Sequence, residues 1–271
     1  MKTILKILAG ILILLLLAGG IFYFVNNEAL PKGENPEKAD DLANKMLKAL
    51  NAEAFENTEI IEWSFRDEHF YKWYKSEDKV EVSWDKHKVI LHTKSPDKNE
   101  VITVHKSANE KELIQKATDF FNNDSFWLVA PYKVLDRGTE RKIVKVDEKD
   151  ALLVTYTSGG STPGDSYLWI LDSTFIPKKY KMWTSNIPIG GLEATWENWQ
   201  KTEAGILLST KHKISLFGLD LEMGNATAKN PKADSLANKI LKAINHENYK
   251  KTNHIEWSFG GSRSYKWDKK N

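Results

Sequence analysis

The chain contains no cysteine. Disulfides, thiolate metal sites, a cysteine nucleophile and a lipid-modified N-terminal cysteine are therefore excluded. It also lacks a dominant charge: 39 Lys and Arg stand against 37 Asp and Glu. No run of like charge reaches five or six residues, and nothing concentrates the basic residues, so no nucleic-acid partner is expected. Phosphate-cradling glycine motifs are missing, as is a Gly-x-Ser-x-Gly elbow around Ser161. The conspicuous TSGGSTPGDS stretch, Thr157 to Ser166, reads as a hairpin connection through Gly159, Gly160, Pro163 and Gly164. Its alternative is a rim that closes over a ligand.

Metal-ligand spacing is absent too. His69, His87, His92, His105, His212, His246 and His254 include no His-x3-His pair. His87 and His92 are five apart on a strand and point to opposite faces. No metal and no cofactor are expected. Asp67-Glu68 and Glu77-Asp78 read as solvated turn acids, and nothing favours a glycosidase-type pair. The chain is not expected to be an enzyme, and no catalytic residue is assigned.

The sequence does supply a long apolar run at its N-terminus. Lys2 and Lys6 precede Ile7 to Val25, which holds no charged residue. At 1.5 Å per residue this covers about 28 Å, close to a bilayer core of roughly 30 Å. Ala18-Gly19-Gly20 would suit a processing site, yet the apolar run continues through Ile21 to Val25. An uncleaved anchor is therefore preferred to a cleaved signal, with the lysines inside and the rest exported. Residues 1–27 form this segment and 28–37 a polar linker.

The chain also repeats itself. Residues 38–75 align without gaps to 232–269, with 22 identities in 38 positions, IEWSF in both copies among them. Each copy opens on a helix with an apolar stripe: Ala39, Leu42, Ala43, Met46, Leu47 and Leu50 in the first, Ala233, Leu236, Ala237, Ile240, Leu241 and Ile244 in the second. Ile61, Trp63 and Phe65 then alternate in a strand, and Tyr71 and Trp73 in another. An offset of 194 is too long for a solenoid repeat. The expectation is one complete domain at 38–225, followed at 226–271 by the beginning of a second copy. Its strand-like aromatics suggest docking on the first domain or self-association through 226–271.

After Trp73 come Val80, Val82 and Trp84, then His87–Thr93 and Val101–His105. A helix is predicted over Asn109–Phe121, ended by Asn122-Asn123-Asp124-Ser125, and Phe126–Ala130 forms an apolar knot before Pro131. Six further strands are expected: Arg141–Val146, Ala151–Thr157, Ser166–Asp172, Lys178–Thr184, Leu192–Lys201 and Gly205–Ser215. The fold class is α+β, a strongly curved antiparallel sheet forming an incomplete β-barrel, with helices over its concave face. Trp63, Phe65, Trp73, Trp84, Trp169, Trp183 and Trp196 are candidates for that concave side. They serve either as plain core packing or as the lining of a ligand-accessible cavity.

The export segment, the ADDLANKMLKAL helix and the strands broken by one helix resemble the LolA/LolB/LppX lipoprotein-carrier fold. YLWILDSTFIPKKYKMW, Tyr167 to Trp183, resembles that group's strand-Asp-turn-Pro-strand hairpin, with Asp172 and Pro177 in the matching places. NDSFWLVAPY, SGGSTPGDSYLWILD and PIGGLEATWENW are similar to uncharacterised flavobacterial-type envelope proteins. The resemblance covers about residues 36–225. It implies an incomplete barrel whose apolar hollow receives acyl chains or a partner segment, and no functional residue carries over. The expected protein is a single-pass inner-membrane module facing the periplasm, or a periplasmic one if the segment is cleaved, that holds a lipid or lipidated chain. The alternative is an interaction or sensor protein binding a protein partner through its sheet edge or cavity. WENW, Trp196 to Trp199, fits either a bound ring or strand packing.

Overall fold

Asn35 opens the first helix after the N-terminal apolar segment. Its side chain accepts from the Lys38 N–H, Pro36 follows at the first helical position, and Asn51 ends the helix in the left-handed conformation. In the computed structural model this helix, α2, spans Pro36–Leu50. Ala39, Ala43, Met46 and Leu50 on its apolar stripe are fully buried. The structure describes residues 2–102, 109–159, 162–216 and 218–269, with the side chains of residues 2, 3 and 5 excepted. His105, Gly160 and Ser161, singled out above, lie outside the described residues, as do residues 103 and 104 of the expected Val101–His105 strand.

Before α2 stands α1, Lys2–Asn26, whose segment Lys6–Asn26 is long and apolar enough to cross a membrane. After α2 come α3, Ala52–Glu56, and the strands β1, Ile60–Phe65, β2, His69–Tyr74, β3, Lys79–Trp84, β4, His87–His92, and β5, Glu100–Val101. Then α4 runs Glu110–Val129, followed by β6, Thr139–Val146, β7, Lys149–Tyr156, β8, Ser166–Leu171, and β9, Pro177–Trp183. β10, Leu192–Thr195, β11, Glu197–Lys201, β12, Leu207–Ile214, and β13, Leu219–Lys229, complete the first unit, which spans residues 1–229. The second unit, 230–271, holds α5, Pro231–Ala243, α6, His246–Lys251, β14, His254–Phe259, and β15, Arg263–Asp268.

Thirteen strands of the first unit form one antiparallel sheet in the order β5-β4-β3-β2-β1-β13-β12-β10-β9-β8-β7-β6, with β11 on β12. Among the described residues β5 and β6 do not pair, so the sheet is not closed into a barrel. It is nonetheless strongly curved, as α4 demonstrates. Phe120 meets Trp84 of β3, and Phe126 meets Tyr156 of β7, at 5.6 and 5.9 Å between ring centroids. Those strands are eight steps apart in the sheet, about 38 Å if it were flat. Phe120 and Phe126 are separated by only about 9 Å of helix rise. The sheet therefore wraps around α4.

Three local expectations are corrected. Asn122-Asn123-Asp124-Ser125 does not end a helix; α4 continues to Val129 and takes in Phe126 to Val129 of the apolar knot. Asp124 Oδ2 is satisfied by His69 and Tyr71 of β2 and Oδ1 by the Asn123 side chain, so the carboxylate does not compete for the helix backbone. The expected Leu192–Lys201 strand breaks at Trp196, and β13 was not foreseen. Residues 28–34 are also no free linker: Glu28 pairs with Lys181 at 2.7 Å, and Glu34 forms a bridge with Ile143.

Candidate functional site

The rings of the sheet gather beneath α4 in two groups. Around Phe120, Phe121 and Asp124, past the midpoint of α4, lie Trp63, Tyr71, Trp73 and Trp84, with Phe65 beside them. Alternation along β1 and β2 puts these side chains on one face. Trp63 stacks on Tyr71 at 4.6 Å, Phe121 meets Trp73 edge-on at 5.4 Å, and the His69 ring stacks on Phe120 at 3.7 Å. At the centre is Asp124, 2% exposed. Its Oδ2 accepts from His69 Nδ1 at 2.7 Å and from the Tyr71 hydroxyl at 2.5 Å, and Oδ1 accepts from Asn123 Nδ2 at 2.8 Å. Burial, then the Asp124 charge, pushes the Tyr71 hydroxyl well above the usual phenol range, so it stays protonated and donates. This buried carboxylate ties α4 to β2.

Under the last turn of α4, at Phe126 and Trp127, lies a larger nest. Phe126 meets Tyr167 at 4.6 Å, and Tyr167 meets Tyr180 at 5.3 Å. Tyr180 meets Trp169 at 5.0 Å, Trp169 meets Trp196 at 5.1 Å, and Trp196 meets His212 at 4.5 Å. Trp127 closes the ring against Tyr180 and His212 at 5.8 and 5.4 Å. Five buried polar atoms of this nest have no hydrogen-bond partner among the described residues: the hydroxyls of Tyr156 and Tyr180, Nε1 of Trp169 and Trp196, and Nε2 of His212. A buried polar atom left unpaired costs about 1–3 kcal/mol, and native interiors hold only a few per hundred residues. Their concentration in one nest marks it as the candidate site.

The nest is uncharged. Burial drives His212 down to about 4, against its bond to the Thr195 carbonyl. The hydroxyls of Tyr156, Tyr167 and Tyr180 are pushed up, first by burial. No Lys or Arg is buried among the described residues.

The seven residues singled out by sequence are thus distributed unevenly. Trp63, Phe65, Trp73 and Trp84 join the first group, and Trp169 and Trp196 the second. Trp183 is on the other side of the sheet: Tyr180 and Met182 point inward, so Trp183 packs on the outer cluster of Ala151, Leu153 and Leu168. Its Nε1 donates to the Glu28 carbonyl at 2.8 Å. The hollow is occupied by α4 rather than open. Cavities of about 420, 400 and 370 Å³ are outlined around Pro31 and Lys142, around Phe70 and Glu81 with Trp63 and Tyr71 in the lining, and around Pro163 and Ser185 with Trp183, none of them at the nest. Sequence reasoning missed Asp124, His69, His212 and the nest tyrosines, because no local pattern distinguishes them. The parity of Tyr167 with Trp169, two residues apart on one strand, was the available signal.

These features define an α+β protein with a curved, open antiparallel sheet, an internal helix and an N-terminal apolar helix. No family model matches the chain, and no curated protein matches it. Among solved structures, that of a DUF1329 family protein from Desulfovibrio piger is similar at a TM-score of 0.38 and 11% identity, over 72% of this chain and 93% of the other. A likeness of that size assigns no family.

Proposed function

We propose that the chain is a membrane-anchored binding module of the bacterial envelope that takes up an apolar chain beneath α4, in the nest of Trp169, Tyr180, Trp196 and His212. The observation that supports this is the set of five unpartnered polar atoms on an otherwise apolar, ring-lined surface. Four of those atoms, the two hydroxyls and the two indole N–H groups, are donors and suit a ligand with a hydrocarbon body and neutral acceptor oxygens; the fifth, His212 Nε2, is an acceptor. A free carboxylate would be buried without a cation, which is costly. The favoured cargo is therefore an acyl ester or amide, as in a lipid or a lipidated chain, rather than a free fatty acid. Each CH₂ buried contributes ~0.8 kcal/mol, which offsets the displacement of Phe126 and Trp127.

On this reading α1 is a single-pass anchor, the first unit faces the periplasm, and the protein catalyses nothing. Native mass spectrometry of the full chain released from mild detergent tests the reading. Co-purified ester- or amide-linked lipid is expected, together with saturable binding of a fluorescent acyl ester. Absence of both would overturn it and leave a scaffold that binds a protein partner.

A further inference from the structure

No slack separates α1 from the sheet. The helix reaches Asn26, and the Asn27 N–H still donates to the Tyr23 carbonyl at 2.8 Å. The next contacts are already with the strands and their connections. Asn27 Oδ1 accepts from the Gly190 N–H at 2.8 Å, and the Glu28 N–H donates to the Gly190 carbonyl at 2.9 Å. Lys181 Nζ donates to both oxygens of the Glu28 carboxylate at 2.7 and 2.8 Å, and Trp183 Nε1 donates to its carbonyl at 2.8 Å. Gly190 and Gly191 leave the room this strap fills. A Cβ on Gly190 would lie 2.6 Å from the Glu28 carbonyl oxygen, and one on Gly191 2.6 Å from the Glu28 Cβ. Where α1 leaves a bilayer, the 184–191 connection between β9 and β10 is therefore directly against its end.

The loops at that end of the sheet share a composition. Ser166 pairs with Thr155 and with Trp183, so the β7–β8 connection lies at the same strand ends as 184–191. Asp165 ties the two together: Oδ1 accepts from the Ser185 N–H at 2.9 Å, and Oδ2 from the Thr162 hydroxyl at 2.6 Å. Residues 157–159, 162–164 and 184–191 include no charged side chain, in a chain of which 28% is charged. The neighbouring turn before β6 carries Asp136 and Arg137, with Asp136 paired to Lys133 at 2.6 Å. At the opposite strand ends each turn carries an acid: Asp147 and Glu148, Asp172, and Glu203. Between the two uncharged loops lies the cavity of about 370 Å³, bordered by Pro163, Trp183, Thr184 and Ile187. The buried Thr184 hydroxyl has no partner among the described residues.

We propose that the strap holds these two loops in the headgroup layer of the bilayer that α1 crosses, with the cavity between them opening onto phospholipid. The proposal takes from the functional reading above only that α1 is an anchor. Loops without charge enter the boundary between headgroups and acyl chains without stripping water from an ion, and Trp183 is of the residue type that favours that boundary. Tyr156 ends β7 and Tyr167 follows Ser166, so the end of the nest that they form is turned to the same bilayer.

The absence of cysteine from the chain allows single labels to test this. The full chain carrying a fluorophore at Asn186→Cys, Ser158→Cys or Ser173→Cys is placed in phosphatidylcholine nanodiscs that contain a headgroup-nitroxide phosphatidylcholine as quencher. Ser173 lies at the opposite strand ends, about 20 Å away along β8. Quenching at Asn186→Cys and Ser158→Cys should exceed that at Ser173→Cys severalfold. An insert of about eight Gly and Ser residues between Asn26 and Asn27, with about 16 Å of flexible reach, should lower quenching at Asn186→Cys severalfold. Equal quenching at Asn186→Cys and Ser173→Cys would overturn the proposal, as would quenching at Asn186→Cys that the insert leaves unchanged. Either failure leaves ester uptake by the nest standing, because the acyl-ester titration reads it separately. Failure of the chain to enter the discs would overturn the anchor on which both readings rest.

Discussion

Acidification should destabilise the protein largely through one residue. His212 is fully buried between Trp196 and Trp127. Its Nδ1–H donates to the Thr195 carbonyl at 2.9 Å, which leaves Nε2 as the unprotonated nitrogen. Burial lowers its pKa from 6.5 to about 4. The unfolded chain takes up the proton near 6.5, the folded one only near 4. The stability from this group is therefore complete above pH 6.5 and is lost as pH falls through 4. A shift of that size, at about 1.36 kcal/mol per unit, amounts to about 3 kcal/mol. For a domain of this size that corresponds to a fall in Tm of roughly 6–12 °C. The assay is thermal unfolding of the full chain in detergent, followed by tryptophan emission at neutral pH and near pH 4, beside His212→Gln. The variant should lose most of the acid-dependent shift whatever its Tm at neutral pH. An equal acid shift in both proteins would refute the claim that a dry, neutral imidazole sits in the nest.

Tyr180→Phe removes one unpartnered hydroxyl without changing ring volume. It should raise stability by about 1–3 kcal/mol while weakening binding of an acyl ester by about two- to tenfold; thermal melts and a fluorescent-ester titration check both. Asp124→Asn and Tyr71→Phe should each destabilise, with a coupling of about 1–3 kcal/mol in a double-mutant cycle of denaturant unfolding. Strictly additive losses would mean that the Asp124–Tyr71 bond does not hold α4 to β2.

The elements that could be read from the sequence are those whose burial follows a local period. The stripe Ala39, Ala43, Met46 and Leu50 is fully buried, and Ile61, Trp63 and Phe65 face the core as their alternation requires. Elsewhere the deciding interaction is remote. Asp124 resembles a helix stop until His69 and Tyr71, 55 and 53 residues away, are seen to bind it. In β13, Leu221 and Met223 are buried, then Ala228, so the inward parity flips from odd to even. The cause is a bulge against β1, where Asn225 adopts a positive φ of 51°. An alternating pattern broken in mid-strand gives no strand signal. Trp183 was placed by residue type, whereas its parity with Tyr180 and Met182 sends it outward. The nest itself is assembled from β7, β8, β9, β12, α4 and Trp196 in the break between β10 and β11, and no spacing along the chain reports that meeting.

Whether the nest accepts a neutral acyl chain is tested most directly by tryptophan quenching. The full chain in detergent is titrated with a brominated acyl ester and, separately, with the matching brominated free acid at neutral pH. Saturable quenching by the ester at one per chain, much weaker quenching by the acid, and an ester midpoint raised about two- to tenfold in Tyr180→Phe are the predicted results. No saturable quenching by the ester, or equal quenching by the acid, would contradict the account.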